Sequence, residues 1–336
     1  MIEDYTIRRI LLQYEEEKAE LRAFLARHHL RFEEDAEASF GIFDSDETLV
    51  GCGCAAGRLL KCFAVDDELR GQNALGPLVS ALTQDRFAAG HYDLFVITRA
   101  HNEPLFKGCG FFPVVRTEAL VMLENRPDGP EAFCRSLRQP SPAGTVGAIV
   151  MNANPFTLGH RHLVETAAAQ CDLLHIFVVE ENRSFFPADV RRHLVEAGTT
   201  DLPNVRVHFS GPYMISAETF PTYFLKQNED GTRLQTELDI ALFAQRIAPA
   251  LGITVRFAGQ EPLDPVTASY NKAMETILPR HGIRFVEIPR ISKGDSVISA
   301  SRVRALLAAE DTAALAGELL PPTTREYLAS TGGELV

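Results

Sequence analysis

The sequence predicts an α/β chain whose larger, second part is built on a parallel sheet, preceded by a smaller α+β domain. Three observations carry this. From Thr145 onward, short apolar, β-branched runs alternate with helix-length amphipathic stretches, the pattern of parallel strands joined by crossover helices. Before that point, over residues 1 to about 124, helix-like and strand-like patterns also alternate. Between the two lies Asn125 to Gly144, where Pro127, Gly129, Pro130, Pro140 and Pro142 punctuate the chain. The expected division is a domain over 1–130, a linker over 131–144 and a domain over 145–336.

In the first part, Ile10 to Arg27 reads as an amphipathic helix, with Leu11, Leu12, Leu21, Phe24 and Leu25 among its apolar positions. Strands are expected over Phe40 to Phe43, Thr48 to Cys54, Leu59 to Val65 and Leu94 to Thr98, with a helix over Ala74 to Phe87. Glu131 to Leu137 is long enough for one short helix. In the second part the expected strands are Thr145 to Met151, Leu173 to Val179, Val205 to Phe209, Thr254 to Phe257 and Phe285 to Ile288. Helices are expected near Gly159 to Gln170, Pro187 to Ala197, Thr236 to Ile247, Ser269 to Leu278, Ser301 to Ala309 and Thr323 to Ser330.

Composition narrows the function class. A net charge of −12 is the wrong sign for a general nucleic-acid binder, which needs a basic footprint. The longest apolar runs are strand-sized, too short to span a bilayer, and the acidic start Met1-Ile2-Glu3-Asp4 has no apolar signal core. No membrane partner is expected, and the expected location is cytoplasmic. The cysteines at 52, 54, 62, 109, 134 and 171 lack zinc-type spacing, so buried free thiols are the default and no protein-held metal is expected.

The chemistry concentrates after the strand that starts at Thr145. Asn154-Pro155-Phe156-Thr157-Leu158-Gly159-His160 breaks that strand and opens a helix, whose first amides have no intrahelical acceptor and sit at the positive end of the dipole. Gly159 lets a phosphate approach the backbone, and His160 adds a donor that can follow charge onto a transferring phosphoryl group. Far downstream, Ile298-Ser299-Ala300-Ser301-Arg302-Val303-Arg304 opens a second helix. Two hydroxyls and an arginine there make a second phosphate clamp, although serines also serve as plain helix caps.

These two segments resemble the (His/Thr)-x-Gly-His and Ile-Ser-x-(Ser/Thr)-x-(Ile/Val)-Arg signatures of the nucleotidyltransferase superfamily. Longer runs are similar to the citrate lyase ligase family: Gly147 to His160, Tyr213 to Ser216, Phe220 to Lys226, Thr236 to Asp239, Gly259 to Pro262, Tyr270-Asn271 and Ile298 to Arg304. The resemblance implies a Rossmann-like domain that uses ATP with Mg²⁺ to activate acetate as acetyl-AMP. The acetyl group would then pass to a prosthetic-group thiol on the acyl-carrier subunit of citrate lyase, releasing AMP and pyrophosphate. It also implies roles. His160, Thr157 and Arg304 would act at the reacting phosphates, with Asn154, Phe156, Gly159, Ser299 and Ser301 around the triphosphate. Arg183, Arg191, Lys226 and Glu261 are further candidates for the nucleotide, each with a plain alternative as a surface or turn residue. Transfer of AMP to a phosphate-bearing metabolite, such as phosphopantetheine, is the alternative activity.

The first part resembles the GNAT acetyltransferase family. After the strand ending at Val65, Arg70-Gly71-Gln72-Asn73-Ala74-Leu75-Gly76 stands where that family binds coenzyme A pyrophosphate, so Arg70, Gly71 and Gly76 are candidates for a coenzyme A-like group. Asn73 and Leu75 depart from the family's small residues, and side chains there crowd a close backbone approach.

Overall fold

A computed structural model describes residues 5–138, 144–180, 184–216, 219–226, 228–261, 264–293, 296–309 and 319–330, with the side chains of 292, 293, 296 and 297 outside the description. It divides into two compact units, one of Met1–Gly129 with Ala217–Leu238, the other of Pro130–Ser216 with Asp239–Val336. Residues 217–238, which the sequence reading joins to the second domain, thus group with the first unit.

The first unit holds β1 (Thr6–Arg9), α1 (Glu15–Arg27), β2 (Ala38–Phe43), β3 (Leu49–Ala56), β4 (Leu59–Val65), α2 (Leu75–Ala88), β5 (Phe95–Arg99), α3 (Glu103–Gly108), β6 (Phe112–Arg116) and β7 (Leu120–Glu124). They form one seven-stranded sheet in the order β1-β2-β3-β4-β5-β7-β6, antiparallel except where β4 meets β5. The strands β1, β6 and β7 are additions to the sequence reading. β7 is buried at every position, so it lacks the alternation that marks a half-exposed strand. The expected helix from Ile10 begins instead at Glu15, where Glu15, Glu16 and Glu17 favour the positive helix end.

β4 and β5 pair only at Leu59 with Phe95 and Leu60 with Val96, after which the two strands leave the ladder. The chain's own segment 219–226 packs beside this opening. Tyr223 is 4% exposed, and its hydroxyl lies near Thr98 of β5 and Cys62 of β4. The Arg31 N–H donates to the Tyr223 carbonyl at 3.0 Å, and Thr222 donates its N–H and hydroxyl to Glu33 at 2.6 and 2.9 Å. Arg99, at the end of β5, donates to the Phe224 carbonyl at 3.1 Å and pairs with Glu229. Replacing Tyr223 with Phe keeps the ring and removes the buried hydroxyl beside Thr98. Unfolding free energy should fall by about 1 kcal/mol, read as a lower urea midpoint at unchanged slope; a midpoint that does not move would mean the hydroxyl is idle.

In the second unit, α4 (Gly129–Leu137) leads to β8 (Val146–Met151), α5 (Leu158–Ala168), β9 (Leu173–Val178), α6 (Ala188–Ala197) and β10 (Val205–Phe209). α7 (Gly231–Leu242) belongs to the first unit as far as Leu238 and runs on in the second into a π turn over Phe243–Ile247, where the sequence predicts one unbroken helix over Thr236 to Ile247. Then follow α8 (Ala248–Leu251), β11 (Val255–Gly259), α9 (Pro265–Ile277), β12 (Arg284–Ile288), the two-residue strands β13 (Ser292–Lys293) and β14 (Ser296–Val297), α10 (Ala300–Ala308) and α11 (Pro322–Ser330).

Five strands make a parallel sheet in the order β10-β9-β8-β11-β12. The strands are apolar because both faces are covered. Ile149, Ile176, Val178, Val255 and Phe257 pack with Val164 and Ala167 of α5 and with Leu194 and Val195 of α6. Asp239 of α7 accepts from the Ile215 N–H at 2.5 Å and from the Tyr270 hydroxyl of α9. Asn271 then donates to the Gly259 carbonyl at 3.0 Å and to Glu287 at 2.7 Å, tying α9 to the ends of β11 and β12. Among the described residues no helix is long and apolar enough to cross a membrane.

Candidate active site

β8 is the central strand, with β9 on one side and β11 on the other, so the sheet order reverses between β8 and β11. Ligands of such sheets bind outside the carboxyl ends of the strands at that reversal. A cavity of about 320 Å³ lies there, lined by residues that include Thr157, Gly159, His160, Glu261, Arg290 and Ser299. The two distant motifs therefore share one cleft. Arg304 of α10 donates to the Asn154 carbonyl at 2.6 Å, across 150 residues of sequence. A Cβ on Gly159 would stand 3.2 Å from the Ile298 carbonyl oxygen, so the absence of a side chain is what lets these two backbones close up.

His160 is oriented by the helix start itself. Its N–H donates to the Thr157 hydroxyl at 3.3 Å, and its ring Nδ1 accepts from the Thr157 backbone N–H at 3.1 Å. This is a capping box with histidine in the place usually held by Glu or Gln. A backbone amide can only donate, so Nδ1 is the acceptor and the neutral ring carries its proton on Nε2. Phe156, fully buried, stacks on the ring at 5.9 Å and 15°. Burial and the nearby Arg290 charge push the His160 pKa down to about 4. At neutral pH the site therefore offers a neutral, fixed N–H donor.

The other candidates fall into distinct places. Ser299 lines the cavity and caps α10 by accepting from the Arg302 N–H at 3.2 Å. Ser301 is exposed and accepts from Arg304 at 3.2 Å. Asn154 is buried, its side-chain oxygen taking the Phe186 N–H at 2.9 Å. Arg191 is fully buried, giving its protons to the carbonyls of Phe186, Asn152 and Val179 and to the Asn152 side chain at 2.7–3.0 Å. It braces the carboxyl ends of β8 and β9 from within. Lys226 is an exposed residue of the first unit whose N–H donates to Glu229 at 2.7 Å. Arg183 lies outside the described residues.

In the first unit Arg70 pairs with Asp67 at 2.9 Å. Gly71 and Asn73 both take positive φ, 84° and 57°. The Asn73 side-chain oxygen stands 3.3 Å from where a Cβ of Gly76 would be, so this amide covers the first turn of α2. The six cysteines are free, and among the described residues no group of three or more His, Cys, Asp or Glu is placed to hold a metal.

Sequence reasoning did not find Arg290. It stands two residues past β12, donates Nε to the Gln260 carbonyl at 2.7 Å and pairs with Glu261. The signal was available in its position at a strand's carboxyl end, but no motif marks it. Thr267, which also lines the cavity, carries no motif either, while Asn152 lies in the family-like run from Gly147 to His160 without a role of its own there.

A pair of histidines lies apart from the cavity lining, on β9 and β10. His175 Nδ1 and His208 Nε2 are 2.9 Å apart, and burial, with Arg206 nearby, pushes both pKa values down to about 4. With His160, these rings are depressed from the ordinary 6.5. Between pH 6.5 and 4 the unfolded chain binds more protons at these rings than the folded one, so their contribution to stability is full above 6.5 and is lost on acidification. A urea midpoint at pH 4.5 should lie clearly below that at pH 7, and replacing His175 with Phe should flatten the difference. An unchanged pH dependence would mean these rings are protonated in the fold.

The family model of the citrate lyase ligase C-terminal domain matches residues 146–328. The chain is 42% identical to the [citrate [pro-3S]-lyase] ligase of Klebsiella pneumoniae over 95% of its own length and 94% of that protein. Among solved structures, a GNAT-family acetyltransferase from Staphylococcus aureus superposes on 37% of this chain and 99% of its own, at 11% identity and a TM-score of 0.30. A Vibrio parahaemolyticus protein described as a nicotinate-nucleotide adenylyltransferase superposes on 56% of this chain and 94% of its own, at 18% identity and a TM-score of 0.35. A matched model over more than half the sequence, together with a relative aligned almost end to end, establishes that the chain belongs to the citrate lyase ligase family.

Proposed function

We propose that the β8–β11 cavity binds ATP and acetate, forms acetyl-AMP, and passes the acetyl group to a thiol on the prosthetic group of citrate lyase's acyl-carrier subunit. The observation that carries this reading is the convergence of Thr157–His160 with Ile298–Arg304 on one cleft. Acetate alone is a poor acyl donor because oxide is a bad leaving group; from a mixed anhydride, AMP leaves readily.

In the first step a carboxylate oxygen bonds to the α-phosphorus while the bond from that phosphorus to the bridging oxygen of pyrophosphate breaks. Negative charge builds on the α-phosphate oxygens and on the departing group. The Nε2–H of His160 is the fixed donor for that charge, and because the ring is already neutral it need not lose a proton to act. The free amides at the start of α5 and the Ser299 hydroxyl would hold the phosphate tail, with Arg304 as its cationic flank. Thr157, Phe156, Asn154 and Arg191 would act by positioning, since their polar groups or rings are directed at His160 and the strand ends. In the second step the thiol sulfur bonds to the acetyl carbon, the carbon–oxygen bond to AMP breaks, and the thiol proton passes to solvent.

Glu261 is the one carboxylate among the described residues that line the cavity. Mg²⁺ arriving on the triphosphate would therefore rely on phosphate oxygens and water, as it commonly does. It would spread the charge of the phosphates.

The test is isotope exchange between pyrophosphate and ATP. Exchange that requires acetate supports acyl-adenylate formation; exchange that proceeds without acetate but needs a phosphate-bearing acceptor would move the assignment to adenylyl transfer. AMP release with deacetylated citrate lyase then reads the second step.

A further inference from the structure

Two charged side chains in the cavity face one another from neighbouring strand ends. β11 and β12 run parallel with Gly259 opposite Ile288, and the Gln260 N–H donates to the Ile288 carbonyl at 2.8 Å. Each strand continues two residues further, to Glu261 and to Arg290. The Arg290 Nε is held by the Gln260 carbonyl at 2.7 Å, and its Nη2 pairs with the Glu261 carboxylate. Both residues line the same cavity as His160, and Glu261 also borders a second cavity, of about 340 Å³, lined by Gln260, Asn271, Lys272 and Glu287. Among the described residues the Arg290 Nη1 has no acceptor, so the guanidinium keeps donors in reserve.

We infer that this ion pair is a charge latch, in which Glu261 occupies Arg290 until a substrate phosphate replaces it. Arg290 is then a phosphate-binding residue of the reaction and Glu261 its built-in competitor. The inference rests on the nucleotide reading given above.

The physical argument is one of exchange. A guanidinium fork fits carboxylate and phosphate oxygens alike, and both are charge-assisted acceptors. The pair cancels the cavity's strongest positive charge while no nucleotide is present, which spares the fold an uncompensated cation in a partly closed site. A triphosphate carries several negative charges against one on Glu261, so it displaces the carboxylate from the guanidinium. Holding the guanidinium by its Nε throughout keeps it in reach of both acceptors. Arg290 also acts on His160 at a distance, since its positive charge helps to keep that imidazole neutral.

The experiment is calorimetric titration of ATP with Mg²⁺, without acetate, into the full chain and into three variants: Glu261→Gln, Arg290→Met and the double variant. Glu261→Gln should bind ATP about threefold to tenfold more tightly, because nothing competes for Arg290. Arg290→Met should bind about tenfold to a hundredfold more weakly. In the double variant the gain from Glu261→Gln should vanish, a non-additivity that independent structural roles would not produce. A second readout needs no nucleotide: in Arg290→Met the NMR titration of the His160 ring should move upward, and Arg290→Lys should restore it. Wild-type binding with unchanged or weaker affinity in Glu261→Gln overturns the latch alone. Absence of ATP binding by the wild-type chain overturns the nucleotide reading and the latch together.

Discussion

Replacing His160 with Ala should lower the rate of acetate-dependent AMP formation by roughly a hundredfold to ten-thousandfold, with the larger loss in kcat than in KM. The reason is geometric. The ring is held by the Thr157 amide on one edge and by Phe156 on its face, so its Nε2–H is aimed before substrate arrives. A donor fixed in advance costs no reorganisation when charge develops. Losing the capping contact at Thr157 should cost only about 1 kcal/mol of stability, so the variant remains folded and the rate is interpretable. The pH–rate profile carries a second expectation. With its pKa down at about 4, His160 stays neutral from pH 5.5 upward, and no limb near 6.5 should come from this ring. Wild-type rates in the alanine variant would remove His160 from the reaction. A limb near 6.5 that vanishes with His160 would show instead that the ring titrates normally.

Arg191→Ala should be the most destabilising single change near the site, lowering unfolding free energy on the order of 4 kcal/mol. Its guanidinium is wholly buried and satisfies the carbonyls at the ends of β8 and β9 together with Phe186 in the loop before α6. Truncation removes this donor from those carbonyls and opens a cavity where the side chain lay. Arg191→Lys should recover only part of the loss, since one ammonium cannot reproduce the fork that reaches Phe186, Asn152 and Val179 at once. The check is a chemical-denaturation series of the three proteins. A loss below about 1 kcal/mol for Arg191→Ala would mean that water or neighbouring groups replace the guanidinium readily. The same series would separate a bracing role from a direct phosphate contact, which would weaken ATP binding without unfolding the chain.

The parallel sheet was legible because its strands are buried on both faces and separated by amphipathic helices; all five expected strands are present, within a residue or two at their ends. The turn from β8 into α5 was legible as a helix start that carries Gly159 and His160, and the structure places both on the cavity lining. What the sequence hid was long-range pairing. Thr157 and Phe156 read as phosphate contacts, yet their groups face His160, a direction that spacing along the chain does not encode. Arg290 carries no local mark, and its partner Glu261 is 29 residues away. The runs around Asp239, Tyr270 and Asn271 read as part of a family pattern without a role. The structure gives them one, as the bonded supports that join Ile215, α7 and α9 and fix the end of β11. The strand β7 was missed because a fully buried strand has no period to detect, and β6 because it is short, mostly exposed and carries Pro113.

The backbone crosses between the two units three times, after Gly129, Ser216 and Leu238. A protein cut at the proline-rich stretch would therefore not release an intact amino-terminal half: it would lack Tyr223, and Arg31 and Arg99 would lose groups they bond. Such fragments would be prone to clumping, and a failure of the isolated piece to act on any acyl donor would say nothing about the same residues in the uncut protein. Faithful dissection would require supplying the 217–238 stretch in trans or splicing it back by a short tether.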